Sequence, residues 1–341
     1  MKIQLNMDID QFFQRCMNHL MSDHKNDFLG LKVTKANQLK IQRQMKKAGF
    51  QEFQGPEDTW PSLLISAEEY QKTPYNTHVK LDQIEEKGFR FSKETVNANE
   101  LFSISAIHPD SERELNDWMT LRALDQPYVA TYLWQGDQVW MLDAPSEAYT
   151  MDPYAHKAHG NVCTFGLGIG YFSFMAMLNP NVKSITVIER SPAVISMFKK
   201  YLLPQFPTTI PITIIEGDAF DYFTETYIND FDYVFVDIWQ SNDDGFLLIE
   251  RLLSQYYPDF QKVDFWIESS CFEFLSALIF IYFNAIAHHK PIKHNNPLYH
   301  RLLKKISCYF EGINKTVTDV SELKFYMYDT ETLRLIVAVH E

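Results

Sequence analysis

Glycine is scarce in this 341-residue chain, at 12 residues. A sequence so poor in the most permissive residue has few places for sharp turns or backbone–ligand contact, so any cluster of glycines carries information. Cysteine is scarcer still, at 4. Cys16, Cys163, Cys271 and Cys308 lie far apart and form no C-x-x-C pair. That spacing speaks against a thiolate zinc site and for free buried thiols in a reducing cytosol. Positive charge is in deficit: 31 Lys and Arg face 44 Asp and Glu, for a net charge of −13. An acidic surface repels phosphate backbones and anionic bilayers, so neither a nucleic-acid nor a membrane partner is expected. The pairs Lys199-Lys200 and Lys304-Lys305 are too short to make a basic patch. At the start, MKIQLNMDIDQFFQRC carries acids and glutamines where a signal peptide needs an apolar core. Long apolar runs are also lacking, with one exception. Residues 271–287 reach only the lower limit for a bilayer span and contain Glu273 and Asn284. A buried or interface helix is expected there, and the interface option would suit a homodimer.

What is present is a globular composition. Hydrophobic residues make up 46% and charged residues 22%, which excludes wholesale disorder and a coiled-coil rod. The length suggests two parts, 1–150 and 151–341. Residues 1–70 read as helical and polar, with KANQLKIQRQMKKAGF ending a helix near Gly49. Residues 71–150 read as β-rich. Their clearest piece is a hairpin over 128–143, where two aromatic and β-branched runs flank a Gly-containing turn. From Asn161 the texture changes to short apolar runs: NVCTF, SITVIE, ITIIEGD, YVFVD and VDFWIE. Runs apolar on both faces and alternating with helical stretches predict an α/β fold with a parallel sheet. The end, ELKFYMYD-TET-LRLIVAVH, reads as an antiparallel hairpin closing that sheet.

The first of those runs leads into VCTFGLGIGYF, where Gly166, Gly168 and Gly170 fall within five positions. Strand, glycine turn, helix is the context in which such a loop brings backbone N–H groups against an acidic part of a ligand. A dinucleotide fingerprint would need a small residue at 171 for close packing, and Tyr171 stands there. Acids end the following runs. Glu189 closes SITVIE, where a carboxylate accepts hydrogen bonds from ribose hydroxyls. Asp218, followed by Ala219, comes after ITIIEG, and Asp237 closes YVFVD. Strand C-termini are where open α/β sheets place their ligands. Ser191-Pro192 reads as the N-cap and first residue of a helix.

The G-x-G-x-G loop with these acids resembles the class I S-adenosylmethionine-dependent methyltransferase superfamily over about residues 160–341. The resemblance implies a Rossmann-like sheet and S-adenosylmethionine as cofactor, held by Gly166, Gly168, Gly170, Glu189, Asp218 and Ala219. It further implies that Asp218 accepts from the adenine amino group. Within that superfamily the arrangement is most similar to spermidine synthases, which place a hairpin domain before the sheet. Leu142-Asp143, Glu147, Tyr154 and His156 follow in their order. The chain departs from them in three ways. Its loop lacks an acid, Ser191 replaces a second ribose acid, and the fourth strand ends Asp237-Ile238-Trp239-Gln240-Ser241 instead of D-S-x-D-P.

These departures remove acids that a polyamine would use. The expected function is therefore methyl transfer to a small-molecule acceptor in the cytoplasm. Aminopropyl transfer from the decarboxylated cofactor, or cofactor binding without catalysis, are the alternatives. Asp237 is the candidate catalytic residue, as a polar contact or a general base. Trp239 is a candidate substrate contact by stacking or, equally, a core residue capping the sheet. Tyr154 is a candidate substrate contact closing over the site. The four histidines of 288–300 read as a polar loop between helices.

Overall fold

The computed structural model describes residues 1–21, 27–52, 60–84 and 88–340. Helix α1, Met7–Leu20, starts where Asn6 accepts from the Ile9 amide at 2.9 Å. It buries Ile9, Phe12, Phe13 and Cys16, the i, i+3, i+4, i+7 stripe of an amphipathic helix. Helix α2, Gln38–Lys47, ends two residues before Gly49, whose φ is +93°. Strands β1 (Phe89–Val96), β2 (Tyr128–Gln135) and β3 (Gln138–Asp143) form an antiparallel sheet in that order. The β2–β3 hairpin turns on Gly136-Asp137, with Gly136 left-handed at φ +60°. The rest of 71–150 is less β-rich than its composition suggests. Pro74–His78 is a short helix with proline at its first turn, and helix α3, Pro145–Lys157, runs through residue 150. The junction between the two parts is thus a continuous helix.

All five predicted strands of the C-terminal half form: β4 (Gly160–Phe165), β5 (Val182–Glu189), β6 (Ile212–Glu216), β7 (Tyr233–Val236) and β8 (Val263–Phe265). They pair in parallel in the order β6-β5-β4-β7-β8, the Rossmann-like doubly wound arrangement. Alternation places Cys163, Phe165, Val234 and Val236 in one core and Val162, Tyr233 and Phe235 in the other, so both faces are covered.

The predicted closing hairpin is overturned. Val320–Tyr328 and Thr330–Ala338 are helices. Their aromatic and β-branched content imitates a strand, but the buried positions fall at helical spacing: Leu323 and Met327, then Leu333, Ile336 and Val337. Asp319 and Asp329 are N-caps, accepting from the amides of Ser321 at 3.0 Å and Thr332 at 2.8 Å. The D-T-E-T segment is therefore a helix start and not a strand turn. These two helices, with Glu273–Ala287 and Pro297–Glu311, make a helical layer that α1 joins. Lys2–Ile3 also pairs in parallel with Thr316–Val317, so the first residues belong to this layer. The apolar run is the helix Glu273–Ala287, and Leu275, Leu278, Ile279, Tyr282 and Phe283 bury it within the chain. No helix among the described residues is long and apolar enough to cross a membrane. Cys16, Cys163 and Cys271 are buried free thiols, whereas Cys308 is exposed.

Candidate functional site

Strand order reverses between β4 and β7, and the crevice outside their C-terminal ends is where an open α/β sheet takes its ligand. A cleft of about 590 Å³ lies there. That volume is within the range of small-molecule sites. Gly166, Gly168, Glu189, Asp218, Ala219, Asp237 and Trp239 all line it. Sequence positions as far apart as 166 and 239 are thus brought to one wall by the parallel strands.

The three glycines do different jobs. All are left-handed, at φ +93°, +51° and +75°. A Cβ on Gly166 would overlap the Asp237 carbonyl, so glycine lets the loop leave β4 hard against the end of β7. A Cβ on Gly168 would meet the Met141 methyl at 2.9 Å, on the cleft side. A Cβ on Gly170 would strike the rings of Phe198 and Phe206. Gly170 does not line the cleft; it seats the loop on the core. Tyr171, at the position a dinucleotide site keeps small, is buried and donates from its hydroxyl to Asp152 at 2.8 Å.

Glu189 is 9% exposed and holds the loop from below. Its Oε2 accepts from the Leu167 amide at 3.1 Å and its Oε1 from the Ser191 amide at 2.7 Å. Burial raises its pKa, and the two amides work against that rise. A carboxylate offers about four acceptor positions, so ribose hydroxyls can still be taken. Ser191 caps the helix Pro192–Met197 as expected. Asp218 is exposed and caps Ala219–Tyr222 through the Phe220 amide at 3.0 Å. Phe220 lines the cleft with the Arg251 guanidinium 3.7 Å from its ring centre.

Asp237 is half-buried at the end of β7. Its amide donates to the Phe165 carbonyl at 2.9 Å, fixing the backbone. Its carboxylate has no hydrogen-bond or ion-pair partner among the described residues. Burial, with the charge of Glu147 adding to it, pushes its pKa up to about 8. Glu147, on α3, is itself pushed up to about 7, by burial first. The charge that adds to burial at Glu147 is that of Asp143. Asp143 has partners within the chain. Its two oxygens accept from Tyr70 at 2.9 Å and Tyr128 at 2.8 Å, so both are taken within the chain.

Trp239 is 6% exposed, with its ring 6.4 Å from Phe265 and its flank against the Gly245 backbone. It sits in the cleft wall as a largely buried residue, and its indole Nε1–H has no partner among the described residues. The departure at 238–241 has a structural reason: Ser241 caps the helix Asn242–Gln255 in a reciprocal box with Asp244. Tyr154 lies outside the cleft. It stacks near Phe235 at 5.1 Å and borders a separate cavity of about 160 Å³. His156 is exposed on α3. The loop 288–296 leads into the helix Pro297–Glu311, and no group of three metal-binding side chains occurs among the described residues.

Sequence reasoning missed the opposite wall. Gln135, Trp140 and Met141, from the β2–β3 hairpin, face the loop across the cleft. The hairpin itself was legible, but no local signal gives its placement over the sheet. Arg190 also lines the cleft beside Glu189.

The chain matches no family model, and no curated protein matches it. Among solved structures, it is similar to one described as a putative caffeoyl-CoA O-methyltransferase from Staphylococcus aureus. That likeness has 19% identity and a TM-score of 0.26 and covers 51% of this chain and 74% of that one. The chain's own geometry is that of an α/β protein with a five-stranded parallel sheet and a ligand-sized cleft at its switch point.

Proposed function

We propose that this chain is an S-adenosylmethionine-dependent methyltransferase acting on a small molecule. One observation carries the reading: the glycine loop, Glu189, Asp218 and Asp237 line a single cleft at the reversal of strand order. A nucleoside fits this donor and acceptor set. Gly166 and Gly168 leave room for a ligand against the backbone, Glu189 would accept from ribose hydroxyls, and Asp218 with Ala219 would border the adenine. When bound, the cofactor supplies a methyl group on an electrophilic sulfonium. The carboxylates Glu189 and Asp218 complement that positive charge in a way they would not complement a diphosphate. Asp237 would hold the acceptor by a hydrogen bond and, being only partly ionised near neutral pH, could take a proton from it. Trp140 and Met141 would keep water from the acceptor side.

A second reading has its own support. Asp237 lines the cleft with no cationic side chain assigned to it, and such a carboxyl suits an amine. Aminopropyl transfer from the decarboxylated cofactor would use it, although Asp143 is taken by two tyrosines. Calorimetry separates the readings. Tighter binding of S-adenosylmethionine and S-adenosylhomocysteine than of decarboxylated S-adenosylmethionine is expected. The reverse preference would replace methyl transfer with aminopropyl transfer, and no binding of any of the three would end both. Binding without turnover over a broad acceptor panel would leave a cofactor-binding protein.

A further inference from the structure

The glycine loop must be held in place by something. Three left-handed glycines in five residues make a segment that loses much conformational freedom on ordering. From the sheet side it is tied by the Gly166 amide to Ile188 O at 2.9 Å, by the Leu167 amide to Glu189, and by the Gly170 amide back to Leu167 O at 2.8 Å. These bonds fix the loop's two ends. Ile169 lies between two left-handed glycines, Gly168 and Gly170, and its carbonyl is not reached by any of these bonds.

That carbonyl accepts from the hydroxyl of Tyr75 at 2.7 Å, across 94 positions of sequence and out of contact with water. Tyr75 is 1% exposed. Its ring packs on Tyr171 at 5.0 Å and edge-on to Phe174 at 5.3 Å, two of the three aromatics at the start of the helix that the loop opens. Burial raises the Tyr75 pKa well above its ordinary value, so the hydroxyl remains a neutral donor. The short helix Pro74–His78 that carries Tyr75 is anchored on both sides. Tyr70, just before it, bonds Asp143 at the end of the hairpin. Lys80, just after it, exchanges bonds with Gln205 of the sheet domain at 2.8 and 3.3 Å.

We propose that Tyr75 is a positioning residue for the ligand loop, so that the N-terminal region sets the affinity of a cleft it does not itself line at that point. The inference rests on the nucleoside reading for its ligand, but the tie between Tyr75 and the loop does not. An unpaired carbonyl is strongly penalised when buried, and its lost partner cannot be replaced by water. Without the hydroxyl, Ile169 would turn its carbonyl toward solvent, and Gly168, which lines the cleft, would lose its fixed placement.

The test compares Tyr75→Phe with Tyr128→Phe in the full chain. Each removes one hydroxyl from a buried ring, but Tyr128 bonds Asp143 and not the loop. Hydrogen exchange of the peptide spanning 166–171 and the Kd for S-adenosylhomocysteine are read at a temperature where urea unfolding shows each variant fully folded. Tyr75→Phe is expected to speed loop exchange and raise Kd by about tenfold each, while Tyr128→Phe leaves both within about twofold. A merely structural role would move both variants together and leave loop exchange unchanged relative to the rest of the chain. Wild-type exchange at 166–171 in Tyr75→Phe would overturn the proposal. If the wild-type chain fails to bind S-adenosylhomocysteine, the nucleoside reading falls, and the exchange measurement still decides the role of Tyr75.

Discussion

The helical layer and the cleft both bury carboxylates, and they treat them in opposite ways. In the layer, Glu250 is 7% exposed and accepts from both terminal nitrogens of Arg301 at 2.6 and 2.7 Å, with Lys305 Nζ at 2.9 Å. Burial pushes its pKa up, but the hydrogen bonds from Arg301 and Lys305 outweigh burial and hold it below the usual carboxylate value. Glu268 is matched in the same manner by Arg334, 2% exposed, through Nε at 2.6 Å and Nη2 at 2.7 Å. At the cleft no cation answers Asp237, and burial with Glu147 drives it up to about 8. The difference separates scaffold from site. A buried charge that the chain satisfies serves the fold, whereas one it leaves unsatisfied in a cleft is where a ligand's charge or proton belongs.

The comparison breaks first if the paired side proves dispensable. Arg334→Met removes the partner and leaves the Glu268 carboxylate, whose side chain is only 13% exposed, without its cation. Loss of one member of a buried pair costs about 3–5 kcal/mol, and urea unfolding at neutral pH should show a fall of that size. A loss under about 1 kcal/mol would mean that Glu268 reaches water in the variant and that the layer is less sealed than its geometry indicates.

The unpaired side makes a prediction of opposite sign, with a pH signature. Asp237 has a folded-state pKa above its ordinary value, so the folded chain binds that proton more tightly than the unfolded chain does. Its contribution to stability is whole below about pH 4 and is lost as pH rises through about 8. Glu250 is depressed, so its contribution is present at neutral pH and is lost as pH falls below the carboxylate range. Asp237→Asn should therefore equal wild type in stability below about pH 4 and gain on it by up to about 1.4 kcal/mol per pH unit until about pH 8, while transfer activity is lost. An Asp237→Asn chain less stable than wild type at the higher pH would show that the carboxylate has a partner and belongs with Glu250.

The same contrast explains what could be read in advance. The five strands were legible because each is a short β-branched run covered on both faces, and the cleft acids were legible because parallel strands put their C-termini on one edge. Glu189 and Asp237 needed only that rule. The helices Val320–Tyr328 and Thr330–Ala338 were misread because Phe325, Tyr326 and Tyr328 have strand-like propensity, while the deciding facts were two aspartate caps and the burial of Leu323 and Met327. Tyr154 was misplaced for a related reason. Its position along the chain relative to the loop says nothing about which side of the sheet it packs on, and it packs on Phe235, away from the cleft. Contacts set by tertiary placement, such as Tyr75 with Ile169 or Met141 with Gly168, have no local signature at all.

Gly168 gives the finest test of the division, because it stands on the site side of a loop whose other end is scaffold. Alanine at 168 must adopt φ +51°, a left-handed conformation that costs about 1–2 kcal/mol for a residue with a Cβ. Its methyl would meet only the tip of the Met141 side chain, which can swing away. Gly170, by contrast, faces two aromatic rings packed edge to face 5.1 Å apart, with no such freedom. Gly168→Ala should therefore lower stability by only about 1 kcal/mol and weaken S-adenosylhomocysteine binding by about tenfold or more, because the methyl and the displaced Met141 occupy ligand space. Calorimetry and urea unfolding on one preparation would give both numbers. Wild-type affinity in Gly168→Ala would mean that the ligand does not approach the loop at this residue, and the cleft's recognition would then have to rest on Glu189 and Asp218 alone.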